Sequence, residues 1–405
     1  MRETLARVAA TFGTPCFVYF LDQIELRVRE IEEAFGGRFE ISFAVKSNPN
    51  PGIVSWLRGR TPWLDISSAG ELRLGLRSGW EASRMSFTGP GKTPAILAEA
   101  CAAGVGEVVL ESIREAEDLS AVATSTGVVQ DVLVRVAPTV VPKGFGDWMA
   151  GKPSQFGIDE EVAEAAVERI ATLPGIRLIG FHAYSGTQCL RVDSLAENYR
   201  IFATIFRRLA ARVRTPMRKL VFGAGIGIPY HDKDVPVRLG ELAAATNPML
   251  DELRAEPKFR EARFLLETGR FLVGEAGCFL VKVIHRKETR GAVICVCDGG
   301  MNFHMSAAGR FGMVTPRNYR MIKVAGAEGP EGVFQLTGPL CTSLDSFGRD
   351  VRLPELRIGD VIALLSSGAY GLSASPHGFI SHDRPKEILV SGQAGAEHLA
   401  DVTLA

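Results

Sequence analysis

In the stretch FAVKSNPN (43–50), Lys46 stands where an apolar run gives way to turn formers. A lone lysine at the end of a strand is ordinarily a solvated side chain. A partly desolvated one has a lowered pKa and can attack a carbonyl. Four more strand ends carry polar groups in the same way. WLDISS (63–68) carries Asp65 and leads into Ser67-Ser68-Ala69-Gly70-Glu71. RLIGFHAY (177–184) carries His182 and Tyr184 into Ser185-Gly186-Thr187-Gln188. KLVFGAG (219–225) runs into Gly223-Ala224-Gly225-Ile226-Gly227, and RFLLET (263–268) ends in Glu267-Thr268-Gly269-Arg270. A glycine-rich turn lets backbone N–H groups approach an anion closely. The planar fork of Arg270 matches phosphate geometry. GxGxG alone is as readily a plain turn. Followed by an arginine after the next strand, it points to phosphate.

Such residues need a scaffold that brings strand ends together. Between residues 40 and 270, apolar runs alternate with helical patterns: EISFAVK (40–46), WLDISS, MSFTGPG (85–91), EVVLES (107–112), DVLVRVA (131–137), RLIGFHAY, KLVFGAG and RFLLET. Near-continuous Val, Ile, Leu and Phe marks parallel strands covered on both faces. Spacers such as EEVAEAAVERIATL (160–173) have helical periodicity. Eight strand–helix units predict a closed parallel (β/α)8 TIM barrel, with an open doubly wound sheet as the alternative. After Arg270 the texture changes. FLVKVIHRKET, GAVICVCDG, YRMIKVAG, GVFQLTGP, DVIALLSS and EILVSG read as strands of a mostly antiparallel β-domain. FGTPCFVYF (12–20) fits either part. The tail after residue 393 reads as small, polar and loose.

The 405 residues exceed one core of ordinary size. Forty-six basic residues balance 46 acidic ones, so no global field attracts nucleic acid or an anionic membrane. MRETLARVAATFGTP lacks the apolar core of a signal peptide, and no run reaches the roughly 20 apolar residues of a spanning helix. Seven scattered cysteines, an odd number, read as reduced thiols of a cytoplasmic protein. Cys295 and Cys297 in ICVC share a strand face. Two thiolates do not make a zinc site, and no metal is expected.

In barrels of this kind the working residues lie at the C-terminal ends of the strands, and phosphate sites often follow strands seven and eight. A phosphate site beside a strand-end lysine suggests pyridoxal 5'-phosphate. That cofactor needs an amine, a phosphate cradle and a partner for its pyridine nitrogen. Lys46 offers the amine. Glu267 offers a carboxylate that holds the ring nitrogen protonated.

The motifs, in order, resemble those of the fold-type III pyridoxal-phosphate decarboxylases, the group of ornithine, arginine and diaminopimelate decarboxylases. FAVKSNPN resembles the lysine motif. DISSAGEL (65–72), FHAYSGTQ (181–188), FGAGIG (222–227), ETGR (267–270), GPLCTSLD (338–345) and GAYG (368–371) resemble the later ones. The resemblance spans residues 15 to 392. It implies an alanine-racemase-like barrel over 28–270, and a Greek-key β-domain made of 1–27 and 271–405. By resemblance, Lys46 bonds the cofactor and Glu267 meets its ring nitrogen. Gly223, Gly225, Thr187, Gly269, Arg270 and Tyr370 hold the phosphate, while Asp65 and Glu71 lie around the lysine and ring. Cys341 returns a proton to the substrate carbon after CO2 leaves, entering from the second subunit of a homodimer.

Three departures stand out. The family's ring-stacking histidine falls at Tyr184, with His182 two residues earlier; both are candidates to contact the cofactor ring, and a tyrosine stacks without carrying charge. Thr268 replaces a proline in ETGR. Thr342 stands where diamino-acid decarboxylases often carry an acid for the distal ammonium. Asp345 remains as a substitute, because an unpaired buried cation is costly. With SPHGFISH (375–382) and its His377 and His382, this resembles the subgroup acting on modified or carrier-protein-bound amino acids in siderophore or antibiotic pathways. Diaminopimelate, ornithine or lysine decarboxylation is the alternative within the family. An amino-acid racemase and a non-catalytic cofactor-carrying protein are the rivals outside it. The first needs a second base on the opposite ring face. The second usually lacks the β-domain.

Overall fold

The structure is a computed structural model that describes residues 1–309, 317–392 and 396–403. Its chain divides into two compact units: Arg27–Gly227 with Pro236–Gly269, and Met1–Leu26 with Ile228–Val235 and Arg270–Ala405.

The first unit is the barrel. Strands Glu40–Ala44, Trp63–Ile66, Met85–Phe87, Glu107–Leu110, Gln130–Ala137, Ile176–Ala183, Lys219–Gly223 and Arg263–Thr268 pair in parallel, each with the next. The eighth returns to the first through Leu265–Thr268 against Glu40–Phe43, and the sheet closes. The open-sheet alternative is thereby removed. The strands are short and nearly all buried, as continuous apolar runs require. Inside the barrel Trp63, Val109, Leu133, Ile179, Val221 and Leu265 form one apolar cluster. Side chains two residues apart on a strand share a face. Asp65 and Glu267 therefore follow Trp63 and Leu265 toward the C-terminal rim.

Helix starts are written locally. Ser68 Oγ accepts from Glu71 N at 3.1 Å, while the Glu71 carboxylate accepts from Ser67 N at 2.6 Å. Ser112 and Glu115 repeat the arrangement, at 3.1 Å each way. Both are capping boxes, with the carboxylate reaching back past the cap. The helix expected over 160–173 is shorter, Ala163–Ile170.

The second unit is a nine-stranded, mostly antiparallel sheet. The ambiguous segment 12–20 belongs here. Cys16–Phe20 lies between Gly277–Thr289, antiparallel, and Lys386–Ser391, parallel. The helix Arg2–Phe12 packs Leu5 and Val8 into the same core. Ser346–Pro354 is a strand that the sequence pattern did not reveal. The tail is also not loose throughout. Of its described residues, His398–Asp401 pairs antiparallel with Lys386–Ser391; residues 393–395 and 404–405 lie outside the described set. Cys295 and Cys297 are buried, and burial raises both thiols. Among the described residues no helix is long and apolar enough to cross a membrane.

Candidate active site

The lysine motif answers its own question through a turn. The first strand stops at Ala44, so Lys46 is not its last residue but the middle of a 3-10 turn, Val45–Ser47. Ser47 Oγ donates back to Ala44 O at 2.8 Å. Asn48 Oδ1 accepts from Asn50 N at 3.1 Å, and Asn50 Oδ1 caps the next helix through Gly52 N at 2.9 Å, ahead of Pro51. These turn formers fix the point from which the lysine leaves the backbone. Gly269 completes the fit: a Cβ there would lie 2.5 Å from Ser47 Oγ.

Lys46 Nζ lies 3.2 Å from Asp65 Oδ2 and 3.5 Å from Glu267 Oε1. Both carboxylates are buried, at 1 % and 4 % exposure, so their charges are weakly screened. His182 Nε2 sits 2.8 Å from Glu267 Oε2. Thr88 Oγ1 donates to Asp65 Oδ1 at 2.6 Å. The two acids titrate apart. Burial raises Asp65 to about 6; the Glu267 charge pushes the same way and Lys46 opposes. Burial would raise Glu267 as well, but Lys46, His182 and Arg135 together hold it well below the usual carboxylate range. Glu267 is thus the fixed anion and Asp65 the group that takes a proton, the division of roles that working acid–base pairs show. Glu71 feels the charges of Lys46 and Asp65. Its carboxylate is engaged in the capping box, and burial lifts it to about 7.

The sixth strand ends at Ala183, so Tyr184 lies in the following turn. A Cβ on Gly223 would run into the Tyr184 ring. Gly225 adopts φ 65°, the left-handed region that glycine tolerates, beneath Phe145 and Gly186 O. Thr187 pairs with Asp147 in a two-residue ribbon. Ser185 Oγ is buried with no hydrogen-bond partner; the sequence reading gave it no role.

In the second unit, Arg270 Nη1 donates to Tyr230 Oη at 2.6 Å, and the guanidinium lies 4.8 Å over the Tyr370 ring. Burial alone would lower its pKa. The two phenols outweigh that and hold the charge firmly. Tyr370 sits at φ 52°, a strained position for a non-glycine residue and a frequent mark of a functional one. Tyr230 was missed in the sequence because its segment lies outside every recognised motif. Cys341 is exposed in the loop between strands Glu331–Thr337 and Ser346–Pro354, with Thr342 beside it. Asp345, the acid expected near a substrate, is engaged by backbone. Its Oδ1 accepts from Met301 N at 2.7 Å and its Oδ2 from Leu340 N at 2.8 Å. The carboxylate fastens this loop to the backbone. His377 and His382 lie on an exposed stretch.

The residues fit pyridoxal phosphate. A lysine amine, a carboxylate kept ionised to face a protonated ring nitrogen, and glycine turns at strand ends are the groups this cofactor requires. The buried Ser185 hydroxyl is a donor that a phosphate oxygen would satisfy.

Comparison with known proteins agrees. Residues 21–274 match the family described as the pyridoxal binding domain of pyridoxal-dependent decarboxylases. The chain is 32 % identical over 385 residues to the L-glutamyl-[BtrI acyl-carrier protein] decarboxylase of Niallia circulans, covering 93 % of this chain and 89 % of that protein. It is 26 % identical to the 2-[(L-alanin-3-ylcarbamoyl)methyl]-2-hydroxybutanedioate decarboxylase of Staphylococcus aureus, covering 93 % and 94 %. Its fold matches a diaminopimelate decarboxylase of Helicobacter pylori complexed with L-lysine, with TM-score 0.85 and 25 % identity, over 98 % of this chain and 95 % of that one. Motif order, closed barrel, lysine site and relatives converge: this chain belongs to the fold-type III pyridoxal-phosphate-dependent decarboxylases.

Proposed function

We propose that this decarboxylase acts on a conjugated or carrier-protein-tethered amino acid in a biosynthetic pathway, releasing CO2 and an amine. The observation that carries the activity is Lys46 Nζ held between Asp65 and an ionised Glu267. Lys46 would bond the cofactor and Glu267 would face its ring nitrogen. Gly223, Gly225, Gly269, Thr187, Arg270 and Tyr370 would hold its phosphate, with Ser185 as a further donor. Asp65 would keep the lysine oriented, and Tyr184 would flank the ring. The bound cofactor supplies an electron sink for the α-carbon as CO2 leaves. Cys341 Sγ would then give that carbon its proton. The exposure of this thiol supports a homodimer in which the loop serves a neighbouring site. Free cysteines throughout support a cytoplasmic enzyme.

The substrate class rests on the loop carrying Cys341. Thr342 is neutral, and both oxygens of Asp345 are engaged by backbone. That leaves no acid of this loop for a distal ammonium, which argues against free diamino acids. The names of the Niallia and Staphylococcus relatives support the same choice. The test has two parts. Protein loaded with pyridoxal phosphate should show a visible band that Lys46→Ala loses; a Lys46→Ala protein with the wild-type band refutes the lysine assignment. CO2 release should then be scored on free lysine, ornithine, arginine and diaminopimelate against glutamate thioesterified to a carrier protein. A kcat/KM for any free diamino acid above that of the tethered substrate overturns the substrate reading.

A further inference from the structure

His182 has no place yet in this chemistry, although it is one of the best-buried polar residues of the barrel, 1 % exposed. Its Nε2 lies 2.8 Å from Glu267 Oε2, and its Nδ1 is buried without a hydrogen-bond partner. An ionised carboxylate only accepts, so the proton of this contact sits on Nε2. A proton on Nδ1 in its place would leave a buried donor unmet and the carboxylate facing a lone pair. Glu267 therefore divides its oxygens, Oε2 to His182 and Oε1 to Lys46. The Lys46 contact is the longer, at 3.5 Å, and its side chain is 38 % exposed. Lys46 also has other work to do; His182 does not.

We propose that His182 is the positioning residue of Glu267, fixing Oε2 through Nε2–H so that Oε1 alone turns from Lys46 to the cofactor nitrogen. The inference rests on the proposed roles of Lys46 and Glu267. Its ring is a clamp beneath the carboxylate, leaving ring stacking to another residue. The acids that interact with it are Glu267, Asp65 and Glu111; Lys46 and Arg135 act on the same Glu267, and Arg135 is the cross-strand neighbour of His182.

The experiment compares holoenzyme carrying pyridine-15N-labelled pyridoxal phosphate with His182→Leu and His182→Gln. A lost hydrogen bond to a charged group predicts a kcat lower by about 10- to 100-fold with KM nearly unchanged. In His182→Leu the cofactor's 15N resonance should move toward the unprotonated position at pH 8. His182→Gln retains an N–H donor and should keep the wild-type resonance. A merely structural histidine would lower thermal stability and leave the resonance in place. An unmoved resonance in His182→Leu overturns the proposal, and so does a glutamine variant as perturbed as the leucine one. If His182→Leu fails to fold, histidine 15N spectra of the wild-type apoprotein still decide. Nε2–H is expected, and Nδ1–H refutes. That spectrum is independent of cofactor loading, so it separates failure of this inference from failure of the functional reading.

Discussion

Replacing Asp65 with asparagine should stabilise the apoprotein at neutral pH. Asp65 is buried beside Glu267, which raises its pKa from 3.8 to about 6. A carboxyl raised in the folded state binds its proton more tightly folded than unfolded. The stability that this gives is whole below pH 3.8 and lost as pH rises through about 6. At about 1.36 kcal/mol per tenfold, the loss is about 3 kcal/mol. Asparagine is nearly isosteric, its Oδ1 still accepts from Thr88, and Lys46 keeps Glu267. The Asp65→Asn apoprotein should therefore exceed wild type by about 3 kcal/mol at pH 8, with the gap closing between pH 6 and 4. All four tryptophans, Trp56, Trp63, Trp80 and Trp148, lie in the barrel unit, so fluorescence during urea unfolding reports that unit alone. Midpoints measured from pH 4 to 8 check the claim. A variant less stable than wild type at pH 8, or a gap that ignores pH, would show that Lys46 outweighs burial and defeat the reasoning.

Glu267→Gln should bind the cofactor but lose about 10²-fold or more in kcat, since an amide cannot hold the ring nitrogen protonated; CO2 release under saturating cofactor measures it. Gly223→Ala forces a methyl into the Tyr184 ring and should cost about 1–3 kcal/mol in urea unfolding, much of it recovered in Gly223→Ala/Tyr184→Ala. Lys323→Ala strands the buried Asp360 carboxylate, which Lys323 Nζ meets at 2.7 Å, and should cost about 3–5 kcal/mol by calorimetry. Cys341→Ala should leave the cofactor's visible band intact while slowing release of the amine, seen as CO2 outpacing amine or as misplaced protonation in deuterated water.

The barrel was legible because strands covered on both faces must be apolar throughout, and eight such runs survive in the sequence. The polar residues that interrupt them, Asp65, His182 and Glu267, stood out against that background. What lay hidden was direction and partnership. Glu71 and Asp65 look alike as strand-end acids, yet one reaches back to Ser67 N and the other meets Lys46. Nothing in CTSLD reveals that two backbone N–H groups close on Asp345. In the strand Ser346–Pro354 the buried Phe347 and Gly348 are followed by the exposed Arg349 and Asp350, so the period-two signal is broken and weak. Tyr230 meets Arg270 across a sequence separation of 40 residues, a distance over which local pattern says nothing.

The strand Cys16–Phe20 is made well before both of its neighbours, Gly277–Thr289 and Lys386–Ser391. At roughly 5–20 residues per second, a ribosome leaves CFVYF without its second neighbour for roughly 20 to 70 s. That interval exposes a sticky pentapeptide to chaperones and to other nascent chains. It also means that an expression fragment beginning at residue 271 lacks the middle of its own sheet, and that trimming the first 20 residues is an injury to the opposite terminus.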